Sequence, residues 1–266
     1  MNKEYIAFSG SVAENYDQYM GPLFFEPYAI DLIKNIDAKN INTILEIACG
    51  TGRVTNHLRK NFPSATLIAS DLNTGMLDIA KTVVSDNSIQ FLQADAQTLP
   101  FNDNSFDLVV CQFGFMFMPD KPKAFSEVFR VLKKNGQLVF NTWDSLETNP
   151  VSDLADKAIM EYFKKDSSFF TVPFSMYNEN ELQKILQDAG FMNIHIQRAK
   201  FLTESAPAIT IAKALITGTP AFNEIKKADA DASEKIVELT VSKTEQVYGK
   251  GNIRTEMSAL VCTAKK

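Results

Sequence analysis

The sequence predicts an α/β fold built on a doubly wound parallel sheet. Between residues 43 and 144, apolar runs of strand length alternate five times with helical patterns, an arrangement typical of parallel strands joined by helices. Acidic, small or amide residues stand where several of these apolar runs end. Ligands of such sheets bind beyond the carboxyl ends of the strands. The two observations together predict a ligand site along one edge of the sheet.

The composition is that of a globular protein with ample material for a core. The chain has 266 residues, of which 45% are apolar, and a net charge of −5 with a pI near 5.2. This acidic balance, without a basic cluster, argues against nucleic-acid binding. The three cysteines, Cys49, Cys111 and Cys262, are widely spaced and favour a reducing compartment. No apolar run approaches the ~18 residues of a membrane span, so we expect a cytoplasmic protein.

The chain reads as one domain, residues 1–266, in three parts. Residues 1–40 carry two apolar helical stripes separated by Gly21-Pro22, which we expect to interrupt the helix. Residues 41–145 contain the alternating pattern. Residues 146–266 contain further helices and two apolar strands. We expect an N-terminal helical lid, a ligand-binding core, and cap helices with the last two strands.

The most informative stretch is residues 43–58, TILEIACGTGRVTNHL, which predicts a buried strand, a tight loop and a helix start. Gly50 and Gly52 permit close backbone approach, and the helix N-terminus presents N–H groups to a ligand. Glu46 precedes the loop, so its carboxylate can face the same ligand. The dinucleotide fingerprint needs a third glycine where Thr55 stands, and the chain contains no phosphate-binding G-x-x-x-x-G-K-[ST] string.

The string EIACGTG at residues 46–52 resembles the first motif of class I S-adenosylmethionine-dependent methyltransferases, usually E/D-x-G-x-G-x-G. Ala48 replaces the first glycine, which alanine can do wherever φ is negative. The resemblance implies a Rossmann-like sheet of seven strands with the last strand antiparallel, helical cap insertions, and S-adenosyl-L-methionine as cofactor. It covers about 100 residues and includes the string RVLKKNG, whose Asn135-Gly136 predicts the end of the helix before strand five.

The second strand ends at Asp71, nineteen residues after Gly52. An acid at this place can accept hydrogen bonds from both ribose hydroxyls, in a nicotinamide or an adenosylmethionine site alike. Leu72 follows, where we expect it to lie against the adenine. Met76, in the next helix, is expected in the core, with an adenosine contact as the alternative.

Asp95-Ala96 stand at the turn where the chain leaves the third strand. In the resembled family this acid accepts the adenine amino group and the following N–H reaches a ring nitrogen, which a dinucleotide enzyme does not need. Gln112 and Phe113 stand at the ligand-facing end of strand four. The family's N-terminal helix closes over the cofactor, which makes Tyr16 a further candidate beside Tyr19. The predicted cofactor contacts are Tyr16, Glu46, Ala48, Gly50, Gly52, Asp71, Leu72, Met76, Asp95, Ala96, Gln112 and Phe113.

Methyl transfer from a sulfonium requires alignment and exclusion of water more than acids or metals. The sequence offers no metal-ligand cluster and no clear base, so we assign no catalytic residue. We expect His195 to face solvent or a helix, His57 to lie at the surface and Asp144 to cap a strand end. Aromatic and methionine residues follow strand four and recur in the segment 167–176: Phe113, Phe115, Met116, Phe117, Met118, Phe169, Phe170 and Phe174.

This apolar density suggests a small apolar or aromatic methyl acceptor. The leading prediction is therefore a methyltransferase that acts on a small molecule, and the sequence leaves a homodimer open. A nicotinamide-dependent oxidoreductase is one alternative, although it lacks the third glycine and a Tyr-x-x-x-Lys pair. A non-catalytic adenosylmethionine-binding protein is the other.

Overall fold

The computed structural model describes residue 8 and residues 11–165 and 169–266, so the predicted segment 167–176 lies partly outside the described residues. The helices are α1 (Ser11–Asn15), a π-helix (Tyr16–Phe25), α2 (Glu26–Lys34), α3 (Arg53–Asn61), α4 (Thr74–Val83), α5 (Lys121–Val131), α6 (Pro150–Phe163), α7 (Glu179–Asp188), α8 (Ala208–Thr217), α9 (Ala221–Ala228) and α10 (Ala232–Tyr248). The strands are β1 (Thr43–Ile47), β2 (Thr66–Asp71), β3 (Gln90–Gln93), β4 (Phe106–Gln112), β5 (Leu132–Trp143), β6 (Met192–Leu202), β7 (Ala206–Pro207), β8 (Asn252–Ile253) and β9 (Glu256–Lys265). Two 3-10 turns cover Phe115–Phe117 and Leu146–Thr148.

Seven strands form one sheet in the order β3-β2-β1-β4-β5-β9-β6. The first five are parallel to one another, and β9 runs antiparallel between β5 and β6. The predicted doubly wound α/β fold with an antiparallel last strand is therefore confirmed. The order reverses between β1 and β4, which places a crevice at the carboxyl ends of these two strands.

The central strands are apolar on both faces because helices cover both sides of the sheet. Leu45 and Phe140 belong to the core beneath α5, where Phe125 packs on Phe115 with ring centroids 4.2 Å apart. Ile44 and Val139 belong to a second core that includes residues of α2 and α3. The sheet is thus a rigid platform whose carboxyl edge carries the polar and aromatic residues of the site.

The N-terminal helix does not stop at Gly21-Pro22, contrary to the sequence-based prediction. The chain winds through both residues as the π-helix, and the N–H of Glu26 donates to the carbonyl of Gly21, five residues earlier. Pro22 has no N–H to donate, so its nitrogen contributes no backbone hydrogen bond to this winding. A side chain on Gly21 would collide with the Arg53 guanidinium, so glycine lets α3 approach this segment closely.

Helix α5 ends at Val131, four residues before the predicted Asn135-Gly136 boundary. Residues from Leu132 onward already belong to β5, with a register irregularity against β4 between Phe106 and Leu108. Asn135 adopts a positive φ of 65°, so its left-handed conformation serves a bend within the strand. The Asn-Gly pair therefore marks a strand irregularity and not a helix end.

Candidate active site

A cavity of about 580 Å³ lies at the carboxyl ends of β1, β2, β4 and β5. The N-terminal helices and the start of α9 close its other sides. Ten of the twelve predicted contacts line it: Tyr16, Ala48, Gly50, Asp71, Leu72, Met76, Asp95, Ala96, Gln112 and Phe113. The other lining residues are Phe8, Met20, Phe25, Ile47, Ser70, Asn73, Ala94, Gln97, Gly114, Phe117, Met118, Pro119, Trp143, Pro173, Thr219 and Pro220.

Asp71 is fixed by backbone donors at the end of β2. Its Oδ2 accepts from the N–H of Gly50 at 2.9 Å, and its Oδ1 accepts from the N–H of Asn73 at 2.8 Å. Burial raises the pKa of the Asp71 carboxyl, while these N–H donors oppose the rise. The glycine loop and the acid are thereby tied together at the cavity wall, which pre-orients the carboxylate for a ligand with hydroxyl groups.

The loop itself departs from the sequence-based expectation at Ala48. Its φ is +52°, not negative, so alanine occupies a conformation that favours glycine. Gly50 also has a positive φ of 56°, and the Tyr16 ring lies 4.0 Å from the place of a Cβ at Gly50. The Tyr16 side chain therefore covers the loop, and burial raises the pKa of its phenol.

Glu46 does not line the cavity. Its carboxyl is buried behind the loop, where Oε2 accepts from the Thr55 hydroxyl at 2.5 Å. Burial raises the pKa of Glu46 to about 8, and the nearby charge of Asp71 adds to the rise. In this position Glu46 joins β1 to α3, and the expected direct approach of its carboxylate to a ligand is not seen.

Gly52 also lies away from the cavity. Its φ is +85°, and an added Cβ would lie 2.6 Å from Cγ2 of Val84 and 3.3 Å from the Cβ of Ala80. Glycine is needed here because the loop packs against the end of α4, whereas the prediction assigned it to close approach by the ligand. Its effect on the cavity is indirect, since it sets the start of α3.

Asp95 lies one strand further from the centre of the sheet. Its Oδ1 accepts from the backbone N–H of Gln97 at 2.8 Å, and the Gln97 amide also contacts both of its carboxylate oxygens. Asp71 and Asp95 are the charged side chains in the lining formed by the described residues. Both follow β2 and β3, so the negative charge of the site is confined to that side.

Gln112 carries an acceptor that has no partner in the described chain. Its Nε2 donates to the carbonyl of Phe25 at 3.1 Å, and because a carbonyl only accepts, the amide orientation is fixed. Its Oε1 is buried and unpaired among the described residues. Since buried acceptors are normally satisfied, this oxygen suits a ligand that presents an N–H or O–H group.

The lining beyond β4 and β5 is aromatic. Phe113 stacks on Trp143 with centroids 4.0 Å apart and an interplanar angle of 15°. Phe25 lies 5.4 Å from Phe113 and 5.0 Å from Tyr16, centroid to centroid. Phe113, Trp143 and Phe25, which we term the aromatic wall, thus oppose the acidic side of the cavity.

Several candidates from the sequence lie elsewhere. Phe115 and Met116 are fully buried in the core, whereas Phe117 and Met118 line the cavity. Tyr19 is absent from the lining. Phe170 and Phe174 also lie outside the lining and are buried in the core. His57 contacts Glu26, Asp144 pairs with Arg198, and His195 is exposed on β6.

Sequence reasoning missed Trp143, which stands at the carboxyl end of β5 and could have been found by the same strand-end rule. It also missed Phe8 and Met20 from the N-terminal segment and Thr219 and Pro220 between α8 and α9. No local pattern identifies these four, because only tertiary packing brings them to the sheet.

Known proteins resemble this chain in sequence and in fold. Residues 45–140 match the family described as a methyltransferase domain. The demethylmenaquinone methyltransferase of Staphylococcus carnosus is 30% identical over 208 residues, which cover 70% of this chain and 84% of the relative. That of Lactiplantibacillus plantarum is 32% identical over 179 residues, covering 59% of this chain and 73% of the relative.

Solved structures share the fold at lower identity. Haemonchus contortus phosphoethanolamine N-methyltransferase 2, in complex with phosphomonomethylethanolamine and S-adenosylhomocysteine, superposes with a TM-score of 0.61 and 18% identity, over 95% of this chain and 56% of that one. The [4+2]-cyclase SpnF superposes with a TM-score of 0.58 and 17% identity, over 91% of this chain and 80% of that one. A cyclase among these structures shows that the fold alone does not define the reaction.

This chain belongs to the class I S-adenosylmethionine-dependent methyltransferases. It is a methyltransferase, and its cofactor is S-adenosyl-L-methionine. The residues present fit that cofactor, because the cavity combines a backbone-anchored Asp71 with the unpaired buried oxygen of Gln112. Within the described residues, no helix is long and apolar enough to cross a membrane.

Proposed function

We propose that this methyltransferase acts on a small, uncharged, apolar or aromatic molecule. The observation that carries the proposal is the division of the cavity lining. The acidic side consists of Asp71, which ends β2, and Asp95, which follows β3. On the other side, Phe113, Phe117 and Met118 follow β4, Trp143 ends β5, and Phe25 contacts Phe113. An anionic acceptor on the aromatic side would lose hydration without gaining a partner from the described lining.

The acidic side is the proposed place of the cofactor. Asp71 would accept hydrogen bonds from the ribose hydroxyls, and Asp95 with the N–H of Ala96 would bind the adenine. The oxygen of Gln112 would accept from a donor group on the ligand, and Tyr16 would cover the glycine loop. Leu72, Met76, Ala48, Gly50 and Phe113 would complete the contact surface, while Glu46 and Gly52 would support the loop from behind.

When bound, S-adenosyl-L-methionine supplies an electrophilic methyl group, so the protein need only align the acceptor and exclude water. The aromatic wall performs the exclusion. Tyr16 covers the glycine loop, and burial keeps its phenol protonated by raising its pKa. The described lining beyond β4 and β5 offers no side-chain base, so the acceptor must bring a nucleophilic atom that needs none.

A methyl-transfer screen tests the proposal. The protein is incubated with S-adenosyl-L-methionine and a panel of acceptors, and products that gain one methylene are detected by mass spectrometry. Because the relatives are named demethylmenaquinone methyltransferases, reduced demethylmenaquinone is the first acceptor to test. Simple phenols, amines and carboxylates complete the panel. We expect turnover of uncharged aromatic acceptors. Turnover of charged acceptors alone would overturn the proposal, as would cofactor binding without turnover of any acceptor.

A further inference from the structure

Phe113 has an unusual backbone conformation for a bulky residue. Its φ is +49°, in the left-handed region that large side chains rarely occupy. Such outliers persist only where the surroundings enforce them, and they are concentrated at functional sites. Phe113 directly follows β4 and lines the cavity, so the cause of its conformation bears on the shape of the site.

Asn141 supplies the enforcing contact. The N–H of Phe113 donates to Oδ1 of Asn141 at 2.9 Å and also to the backbone oxygen of Asn141 at 3.3 Å. Asn141 lies on β5 directly opposite Gln112 and is fully buried. Because the N–H can only donate, the amide oxygen must face Phe113 and the amide nitrogen must point away.

The nitrogen of this amide has no partner in the described part of the chain. Asn141 Nδ2 is buried and unpaired there, which is unfavourable for a polar group in the interior. Val139, two residues earlier on the same face of β5, is apolar and equally buried. Core packing alone would therefore favour an apolar side chain at position 141. The hydrogen bond from the Phe113 N–H is the interaction that the Asn141 carboxamide makes among the described residues.

The conformation of Phe113 determines the aromatic wall. With φ at +49° its ring stacks on Trp143 at 4.0 Å, and the edge of Tyr28 contacts it at 5.3 Å between centroids. If the backbone relaxed to a negative φ, the Cα–Cβ bond would turn and the ring would leave Trp143. The wall of the cavity would then change although no lining residue had been replaced.

We propose that Asn141 is a positioning residue of this methyltransferase. It does not line the cavity; it fixes the backbone of Phe113 and thereby holds the ring against Trp143, where the acceptor is proposed to bind. The expected effect of Asn141 on acceptor binding rests on the proposed function. The structural step, from Asn141 to the Phe113–Trp143 stack, is independent of that function.

Trp143 provides a direct readout because it is the only tryptophan of the chain. The test compares its near-ultraviolet circular dichroism in the wild type and in Asn141→Leu, which removes the acceptor oxygen and keeps the branched shape of the side chain. We expect the tryptophan band to lose at least half of its intensity in Asn141→Leu. Asn141→Asp, which retains an oxygen facing Phe113, should keep most of the band.

Thr142→Val is the matched control, since Thr142 is also fully buried and its hydroxyl is also unpaired among the described residues. It points to the opposite face of β5, so its replacement should leave the band unchanged. An unchanged band in Asn141→Leu, or an equal loss in Thr142→Val, would overturn the proposal.

If Asn141→Leu fails to fold, the same substitution is made together with Phe113→Gly. Glycine adopts positive φ without support, so the double variant should fold as well as Phe113→Gly alone. A double variant that also fails to fold would show that Asn141 acts through something other than Phe113, and would contradict the proposal.

Ligand binding separates this inference from the proposed function. S-adenosylhomocysteine and 1-naphthol, a neutral planar probe, are titrated by calorimetry, the second in the presence of the first. Asn141→Leu should weaken 1-naphthol at least fivefold and weaken S-adenosylhomocysteine by a smaller factor, because Phe113 is only one of the proposed cofactor contacts. Wild-type protein that binds no 1-naphthol would count against the aromatic acceptor site, while the Trp143 band would still decide the role of Asn141.

Discussion

The methyl group of Ala48 occupies the space that a side chain at Gly114 would need. A Cβ built on Gly114 would lie 2.6 Å from the Cβ of Ala48 and 2.6 Å from Sγ of Cys111. The loops after β1 and β4 therefore meet through one methyl group and one missing side chain. Since both residues line the cavity, this contact sets the distance between the two loops.

Replacing Ala48 with glycine should stabilise the free protein. Relief of the left-handed conformation gains about 1–2 kcal/mol, and the extra freedom of glycine in the unfolded chain offsets about 0.5–1 kcal/mol. We expect a net gain of up to ~1.5 kcal/mol in urea unfolding. Ala69→Gly is the control, because Ala69 is buried in β2 without a positive φ and should become less stable. Equal losses in both variants would contradict the prediction.

Replacing Gly114 with alanine should destabilise the protein by about 1–3 kcal/mol, the usual range for overpacking. The loss should be smaller when Ala48 is glycine, because one of the two contacts at 2.6 Å is then absent. A double-mutant cycle on the free energy of unfolding measures this coupling. Strictly additive effects of the two substitutions would show that the loops do not meet as described.

Replacing Asp71 with alanine should weaken cofactor binding. The loss of a charged acceptor costs about 1.5–3 kcal/mol, which corresponds to a Kd roughly ten- to hundredfold higher. Titration of S-adenosylhomocysteine by calorimetry gives the value. Asp78→Ala is the control, since Asp78 is an exposed partner of Lys81 on α4. Unaltered affinity in Asp71→Ala would remove Asp71 from the cofactor site.

The protein should lose stability as pH rises from about 5 to 8, and Glu46 should account for part of the loss. Its pKa is about 8 in the folded state against an ordinary value of 4.5, so the folded state binds this proton more tightly. The resulting stabilisation is complete below the ordinary pKa and declines as pH rises through the folded one. One pK unit corresponds to about 1.4 kcal/mol.

Glu46→Gln removes this proton while keeping a group that can accept from Thr55. Its unfolding free energy, measured in urea from pH 5 to 8.5, should decline less steeply than that of the wild type. Thr55→Val is a useful companion because it removes the partner hydroxyl and leaves the titrating group. Parallel pH profiles for wild type and Glu46→Gln would mean that Glu46 is ionised in the folded protein.

The strand-end rule accounts for what the sequence could predict about the site. Asp71 and Gln112 end two strands of a parallel sheet and Asp95 closely follows a third, and such ends meet along one edge whatever the loops do. The rule does not state which way a side chain near a strand end points. Glu46 turns toward Thr55, and this orientation depends on how α3 packs against β1.

The sequence pattern could not predict the backbone conformation of the loops. Ala48 and Phe113 both adopt positive φ, although neither residue type suggests it. Ala48 fits because Gly114 leaves room for its methyl group, and Phe113 fits because Asn141 accepts its N–H. Both compensating residues lie far away in sequence, so local propensity could not reveal them.

The number of residues in the π-helix determines how Tyr16 is placed over the glycine loop. Each wider turn contains an additional residue compared with an α-helix, so the segment Tyr16–Phe25 is longer than its path requires. A deletion within it would shift the register between Phe25, whose carbonyl accepts from Gln112, and Tyr16, whose ring covers Gly50. Relatives of this chain that differ by one residue here would thus share the sheet and its acids, yet differ in what covers them.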